Sequence, residues 1–111
     1  MEDLSQYRKT IRELIQSYAR YQPARGDVQI EMIFDEANDH YELVYSGWNG
    51  HYRIHGPVLH LNVRNGKIWI QHDGTEDGIA EELVKAGIPR DRIVLAFKAS
   101  ELRRHTDFAV A

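Results

Sequence analysis

The stretch VQIEMIFDEANDHYELVY, residues 28–45, decides the fold. Val28, Ile30, Met32 and Phe34 alternate with largely polar residues, as do Tyr41, Leu43 and Tyr45. That is the period of a strand with one buried face. A loop at Glu36-Ala37-Asn38-Asp39 sets Phe34 against Tyr41, Met32 against Leu43 and Ile30 against Tyr45. Every such pair is apolar on both sides, which fixes the register of a hairpin.

Two further turns extend the hairpin into a meander. Asn49-Gly50 and Asn65-Gly66 are two-residue turns of the kind that takes positive φ at both positions. The first predicts Tyr45 opposite Ile54, the second Val63 opposite Ile68 and Leu61 opposite Ile70. This register also places His60 opposite Gln71, His55 opposite Val44 and Trp69 across from Asn62. Inward positions are even at Tyr52 and Ile54 but odd at Leu59, Leu61 and Val63. An extra residue must therefore be absorbed, and Gly56-Pro57 is where a bulge or bend fits.

Helices flank the meander. Leu4, Tyr7, Ile11, Leu14, Ile15, Tyr18 and Tyr21 form one stripe at three- and four-residue steps. They predict a helix from Asp3 to Tyr21, capped by Asp3 and stopped by Pro23 and Gly26. A second helix is expected from an N-cap at Thr75, buried through Ile79, Ala80, Leu83 and Val84, and ended by Gly87 and Pro89. Ile93 to Phe97 is apolar on both faces and predicts a fifth, covered strand. A helical turn at Ser100 to Arg104 and a tail docking through Phe108 follow. The expected fold class is α+β: an antiparallel meander of four strands plus a fifth short strand, with two helices on one face. Residues 1–111 make a single domain.

Composition agrees. Of 111 residues, 42% are apolar and 28% charged, the balance of an ordinary globular chain able to bury roughly 65% of its unfolded surface. The absence of cysteine excludes disulfides, thiolate metal sites and a cysteine nucleophile, and suits a cytoplasmic location. No apolar run is long enough for a membrane span, and the acidic start is unlike a signal peptide. Net charge is −3, and residues 27–50 hold six acidic side chains with no Lys or Arg. Phosphate binding wants the opposite sign, so direct DNA binding by the chain alone is disfavoured and a basic protein partner suits better.

Chemistry-bearing patterns are sparse. Six histidines occur without the spacing of a metal site, so neither a metal nor a cofactor is expected. One polar constellation remains, His72 and Asp73 followed by Thr75 and Glu76, at the junction of the fourth strand and second helix. It is a candidate ligand or catalytic corner, against a purely structural capping role. Parity puts Trp48, Trp69, Ile33 and Val44 together on the outer sheet face. Two large rings there call for cover, either by residues 98–111 or by a protein partner anchored on the tryptophans.

The run Trp69-Ile70-Gln71-His72-Asp73-Gly74-Thr75-Glu76-Asp77-Gly78-Ile79-Ala80-Glu81-Glu82-Leu83-Val84 resembles the signature segment of the XisI family, the fdxN element excision controlling factors of cyanobacteria. The likeness extends to Leu4-Ser5-Gln6-Tyr7-Arg8, Asp39-His40-Tyr41, Gly47-Trp48 and Thr106-Asp107-Phe108-Ala109-Val110. It implies a small accessory factor for programmed, site-specific DNA excision, working with an XisH-type, nuclease-like protein; the missing metal pattern, the acidic charge and the apolar outer face favour a non-enzymatic role. A homo-oligomer, most simply a dimer, is the expected state. No catalytic residues transfer from the family pattern.

Overall fold

The computed structural model describes residues 4–20 and 27–111. Helix α1 spans Leu4–Ala19, and the strands are β1 Asp27–Asp35, β2 His40–Asn49, β3 Tyr52–Arg64 and β4 Lys67–Asp73. Helix α2, Ile79–Lys85, leads through a 3-10 turn at Arg90–Arg92 to β5, Ile93–Leu95, and α3 covers Ser100–Arg103. The expected Asp3 cap and the stop at Pro23 and Gly26 lie outside the described residues, as does Tyr21. The five strands form one sheet in the order β1-β2-β3-β4-β5, antiparallel through β4. β5 lies parallel to β4 because the α2 crossover returns the chain to the same end of the sheet. Val94 then bridges Ala109, so the tail covers the far edge of β5.

The first hairpin has the register read from the sequence: Phe34 opposes Tyr41, Met32 opposes Leu43 and Ile30 opposes Tyr45. Its turn ends on Asp39 at φ 58, a left-handed conformation that Asp tolerates. Asn65-Gly66 has positive φ at both positions and sets Val63 opposite Ile68 and Leu61 opposite Ile70.

The middle hairpin differs. Asn49 pairs with Tyr52, so the turn is Gly50-His51, with positive φ at Gly50 alone. This moves the pairing by two residues, setting Tyr45 against Gly56 and Gly47 against Ile54 instead of Tyr45 against Ile54. A two-residue shift preserves the faces, so the pattern of burial could not reveal it.

Val58 is the extra residue: Leu43 faces Leu59 while Val44 faces Pro57. The bulge falls directly after Gly56-Pro57, where the change of parity requires it. A second irregularity at Gln71 sets His60 against His72, not Gln71, and His55 lies opposite Ser46, not Val44.

One core lies between the sheet and the two helices. Tyr7, Ile11 and Ile15 of α1 and Ile79 and Leu83 of α2 meet Tyr41, Leu43, Leu59, Leu61, Ile68 and Ile70. Each fully buried aliphatic side chain there contributes roughly 1.5–3 kcal/mol. Ile30 and Phe34 pack at its margin. The inner face is not covered throughout: Met32 is 46% and Tyr52 79% exposed, against the expectation that both point into the core. Met32 lies on the edge strand β1, and Tyr52 at the tip of the β2–β3 hairpin, beyond the reach of the helices.

Helix α2 begins four residues later than Thr75. Gly78 has φ 84, which no helical turn accommodates, so residues 75–78 turn before the helix starts. Its end is as expected: the Gly87 and Ile88 amides donate to the carbonyls of Val84 and Leu83, closing the last turn before Pro89.

Candidate functional site

The polar corner divides in two. Asp73 is a structural cap: Oδ1 accepts from the Thr75 amide at 2.9 Å and hydroxyl at 2.5 Å, and Oδ2 from the Ile79 amide at 2.8 Å. Thr75 in turn accepts from the Gly78 amide at 3.2 Å. Asp73 thus performs from six residues upstream the capping expected of Thr75 itself, because Gly78, the residue preceding the helix, has no side chain. His72 is exposed and pairs with His60; its ring borders Gly74 of this turn but takes no part in the capping hydrogen bonds. Glu76 and Thr75 border a cleft of about 630 Å³ on the inner side, floored by Leu43, Val58, Tyr18 and Tyr45. Burial, with Glu82 next, pushes the Tyr18 phenol up, and it stays protonated.

The outer face separates its candidates as well. Trp69 and Val44 are buried. The Trp69 ring meets two cations: the Arg64 guanidinium stands 4.0 Å from its centroid, that of Arg103 5.7 Å, and the indole N–H donates to the Arg64 carbonyl at 3.0 Å. Arg103 is itself held by the carbonyls of Lys98, Ala96 and Val110. Cover by the C-terminal segment therefore applies to Trp69, which is closed off as an anchor in the isolated chain. Trp48 is 50% and Ile33 44% exposed. They do not form one patch: Trp48 pairs with Asp27, six residues or roughly 20 Å along the strand from Ile33. The Arg53 guanidinium lies 5.2 Å from the Trp48 ring centroid, and the residue remains half open to solvent.

Two clusters escaped the sequence reading. Arg8 of α1 donates twice to Asp39, at 2.7 and 3.0 Å, and the Tyr41 hydroxyl donates to the same carboxylate at 3.2 Å. The Arg8 hydrogen bond holds Asp39 below the usual carboxylate range. Arg8, Asp39 and Tyr41 all belong to segments that carry the family resemblance, so part of that resemblance is a clamp between helix and hairpin. Nothing short of the fold could join residues 31 positions apart.

The second cluster is on the outer face, where His40 Nδ1 and His60 Nε2 are hydrogen-bonded at 2.9 Å and Glu42 lies 3.9 Å from His60 Nδ1. Burial keeps the His60 imidazole below its ordinary value; Glu42 opposes this, while His40 and His72 add to it. The Gln71 irregularity, which brings His72 beside His60, left no mark in the hydrophobic pattern. No group of three or more potential ligands converges to hold a metal among the described residues.

Comparison with known proteins follows the same lines. The XisI protein family model matches residues 1–110. Among solved structures, a XisI-like protein from Anabaena variabilis ATCC 29413 is 38% identical, with a TM-score of 0.92 over 98% of this chain and 100% of that one. The fdxN element excision controlling factor XisI from the same organism is also 38% identical, with a TM-score of 0.86 over 99% and 100%. No curated protein matches significantly.

Proposed function

The chain belongs to the XisI protein family, and from that premise we propose that it is a non-enzymatic accessory factor in programmed, site-specific DNA excision, acting through protein–protein contacts with an XisH-type partner. The family match, together with a relative named as an excision controlling factor, supports a role in excision control. The observation that carries the protein-contact reading is the β1 side of the sheet. β1 is an edge strand, so one row of its backbone N–H and C=O groups pairs with no other strand among the described residues. Beside that edge stand the exposed Met32, Ile33 and Trp48 and the acidic Asp27, Glu31 and Asp35. A second copy paired antiparallel about Glu31 would oppose Glu31 to itself and Asp27 to Asp35, so the edge favours a basic strand from another protein. Net charge of −3 speaks against DNA as the first ligand. A cytoplasmic setting fits the cysteine-free chain, and no helix among the described residues is long and apolar enough to cross a membrane.

Co-purification with an XisH-type protein, with and without DNA, is the test. Ile33→Lys and Trp48→Ala should each reduce retention of the partner at least ~10-fold, about 1.4 kcal/mol, whether or not DNA is present. Equal retention by both variants would remove β1 and the hairpin tip as the contact surface. Light scattering of the isolated chain tests the homodimer that belongs to the same reading. A second reading, a small-ligand binder or enzyme at the corner of His72, Asp73, Thr75 and Glu76, is favoured by the cleft beside Thr75 and Glu76.

A further inference from the structure

The cleft beside α1 has a composition that selects its ligand. Its floor is apolar and aromatic, built from Leu43 and Val58 with the rings of Tyr18 and Tyr45, and its rim carries Glu76 and Asp77. The Val58 bulge and the loop after β4 shape it together, since the Gly74 amide donates to the Val58 carbonyl at 2.7 Å. This contact holds the acidic rim against the sheet.

Among the described residues that line the cleft, the charged ones are both acidic. Glu82, Asp73 and Asp77 all act on the Tyr18 phenol, each in the direction that holds its proton. Asp73 is committed to backbone and hydroxyl donors, and Glu82 is paired with Lys85 at 3.4 Å. Glu76 and Asp77 form no ion pair among the described residues. Two exposed acidic side chains thus border two tyrosine rings and an aliphatic floor.

We infer that this cleft binds an organic cation, a guanidinium or alkylammonium group on an aliphatic stem, with the head between the Glu76 and Asp77 carboxylates and the stem along Tyr45, Leu43 and Val58. A ring face attracts a cation through its quadrupole, and a methylene stem removes apolar floor from water without leaving the head unsolvated. A bare metal ion would gain nothing from Leu43 and Val58, and the described residues offer it no converging ligand set. An anion would meet two carboxylates. The volume of about 630 Å³ suits a small molecule or one long side chain. This site is separate from the β1 edge and does not depend on the excision reading.

The probes are agmatine, the uncharged butylurea on a stem of the same length, and N-acetyl-arginine methylamide, titrated into the whole chain while backbone amide resonances are followed. Agmatine should give saturable shifts at Gly74, Thr75 and Tyr18. The double variant Glu76→Gln/Asp77→Asn should weaken it at least ~10-fold and Tyr45→Leu about 5-fold. Butylurea should leave these resonances unmoved. Equal binding of the arginine amide would identify a protein side chain as the source of the cation, and its failure beside tight agmatine binding a free amine. The carboxylates are exposed, so the double variant keeps its fold, checked by an unchanged melting temperature. No saturable shift with either cation at about 10 mM, equal shifts with butylurea, or undiminished agmatine binding by the double variant would overturn the assignment.

Discussion

Arg8 and Asp39 show how one pair of side chains ties two elements together. The carboxylate is titrated lower in the fold than in the unfolded chain, chiefly by its hydrogen bonds from Arg8. Its contribution is therefore complete above the ordinary carboxylate pKa and is lost as pH falls through the depressed folded value. Asp39→Asn keeps a residue that tolerates φ 58 but removes the charge. It should lower stability by about 1 kcal/mol at neutral pH, after allowance for partial exposure, with the difference from the parent vanishing in acid. Urea melts of the two chains from neutral pH downward would check this.

His60 behaves in the same sense for a different reason. Burial depresses its pKa, so the fold binds its proton less readily than the unfolded chain. Its stabilising share is present above the ordinary imidazole pKa and declines below it until the folded value is passed. Protonating both His40 and His60 also breaks their hydrogen bond, which needs one bare nitrogen. His60→Gln should flatten the loss of stability on the acid side of neutrality; an unchanged slope would place the proton uptake on other histidines.

At the scale of elements, the seven-residue α2 depends on a cap that its own N-terminal residue cannot supply. Asp73→Ala removes three hydrogen bonds around Thr75 and Ile79 and should cost about 2 kcal/mol. His72→Ala, one residue away but exposed, should change stability by less than about 0.5 kcal/mol. Faster amide exchange across Ile79–Lys85 in the first variant alone would identify the helix as the element affected.

The two tryptophans divide along the same line of reasoning. Trp69→Ala empties a covered site between Arg64 and Arg103 and should lower stability by about 3 kcal/mol while leaving partner retention intact in the remaining folded protein. Trp48→Ala should stay within about 1 kcal/mol of the parent, because half of its ring already faces water. The reverse pattern in chemical melts would mean that the hairpin tip, not β4, carries the packed ring.

Across the whole molecule, the two sheet edges are treated differently. On one side the tail closes β5: the Ala109 amide donates to the Ile93 carbonyl at 2.9 Å, and Phe108 packs on the core with the Arg90 guanidinium 5.3 Å from its ring centroid. On the other side β1 is left open and acidic. Removing residues 104–111 takes away these contacts and the Arg103 bond to the Val110 carbonyl. It should lower stability by about 2 kcal/mol, on the order of 10 °C in Tm, and shift indole emission to the red as Trp69 loses cover. A truncated chain melting at the parent's temperature would show that the tail contributes little to holding β5.

The alternation of residues 28–45, the Asn65-Gly66 turn and the apolar stripe of α1 determined the meander, its outer hairpin registers and the single helix-covered core. These are local signals: period, turn chemistry and facing apolar pairs act within a few residues. The site was legible only in part. Thr75 and Glu76 could be singled out from their position between strand and helix, but the cleft they border needs Tyr18, Tyr45 and Val58 brought from three other elements. The parity of Trp69 placed it on the outer face, yet only the path of the tail decided that Arg103 covers it while Trp48 stays open. The Arg8–Asp39 clamp and the meeting of His60 with His72 depend on packing between distant segments and on a bulge that leaves hydrophobic period unchanged on either side. Tertiary structure decided those contacts because they are set by how elements meet, whereas the sequence specifies most directly which face each element buries.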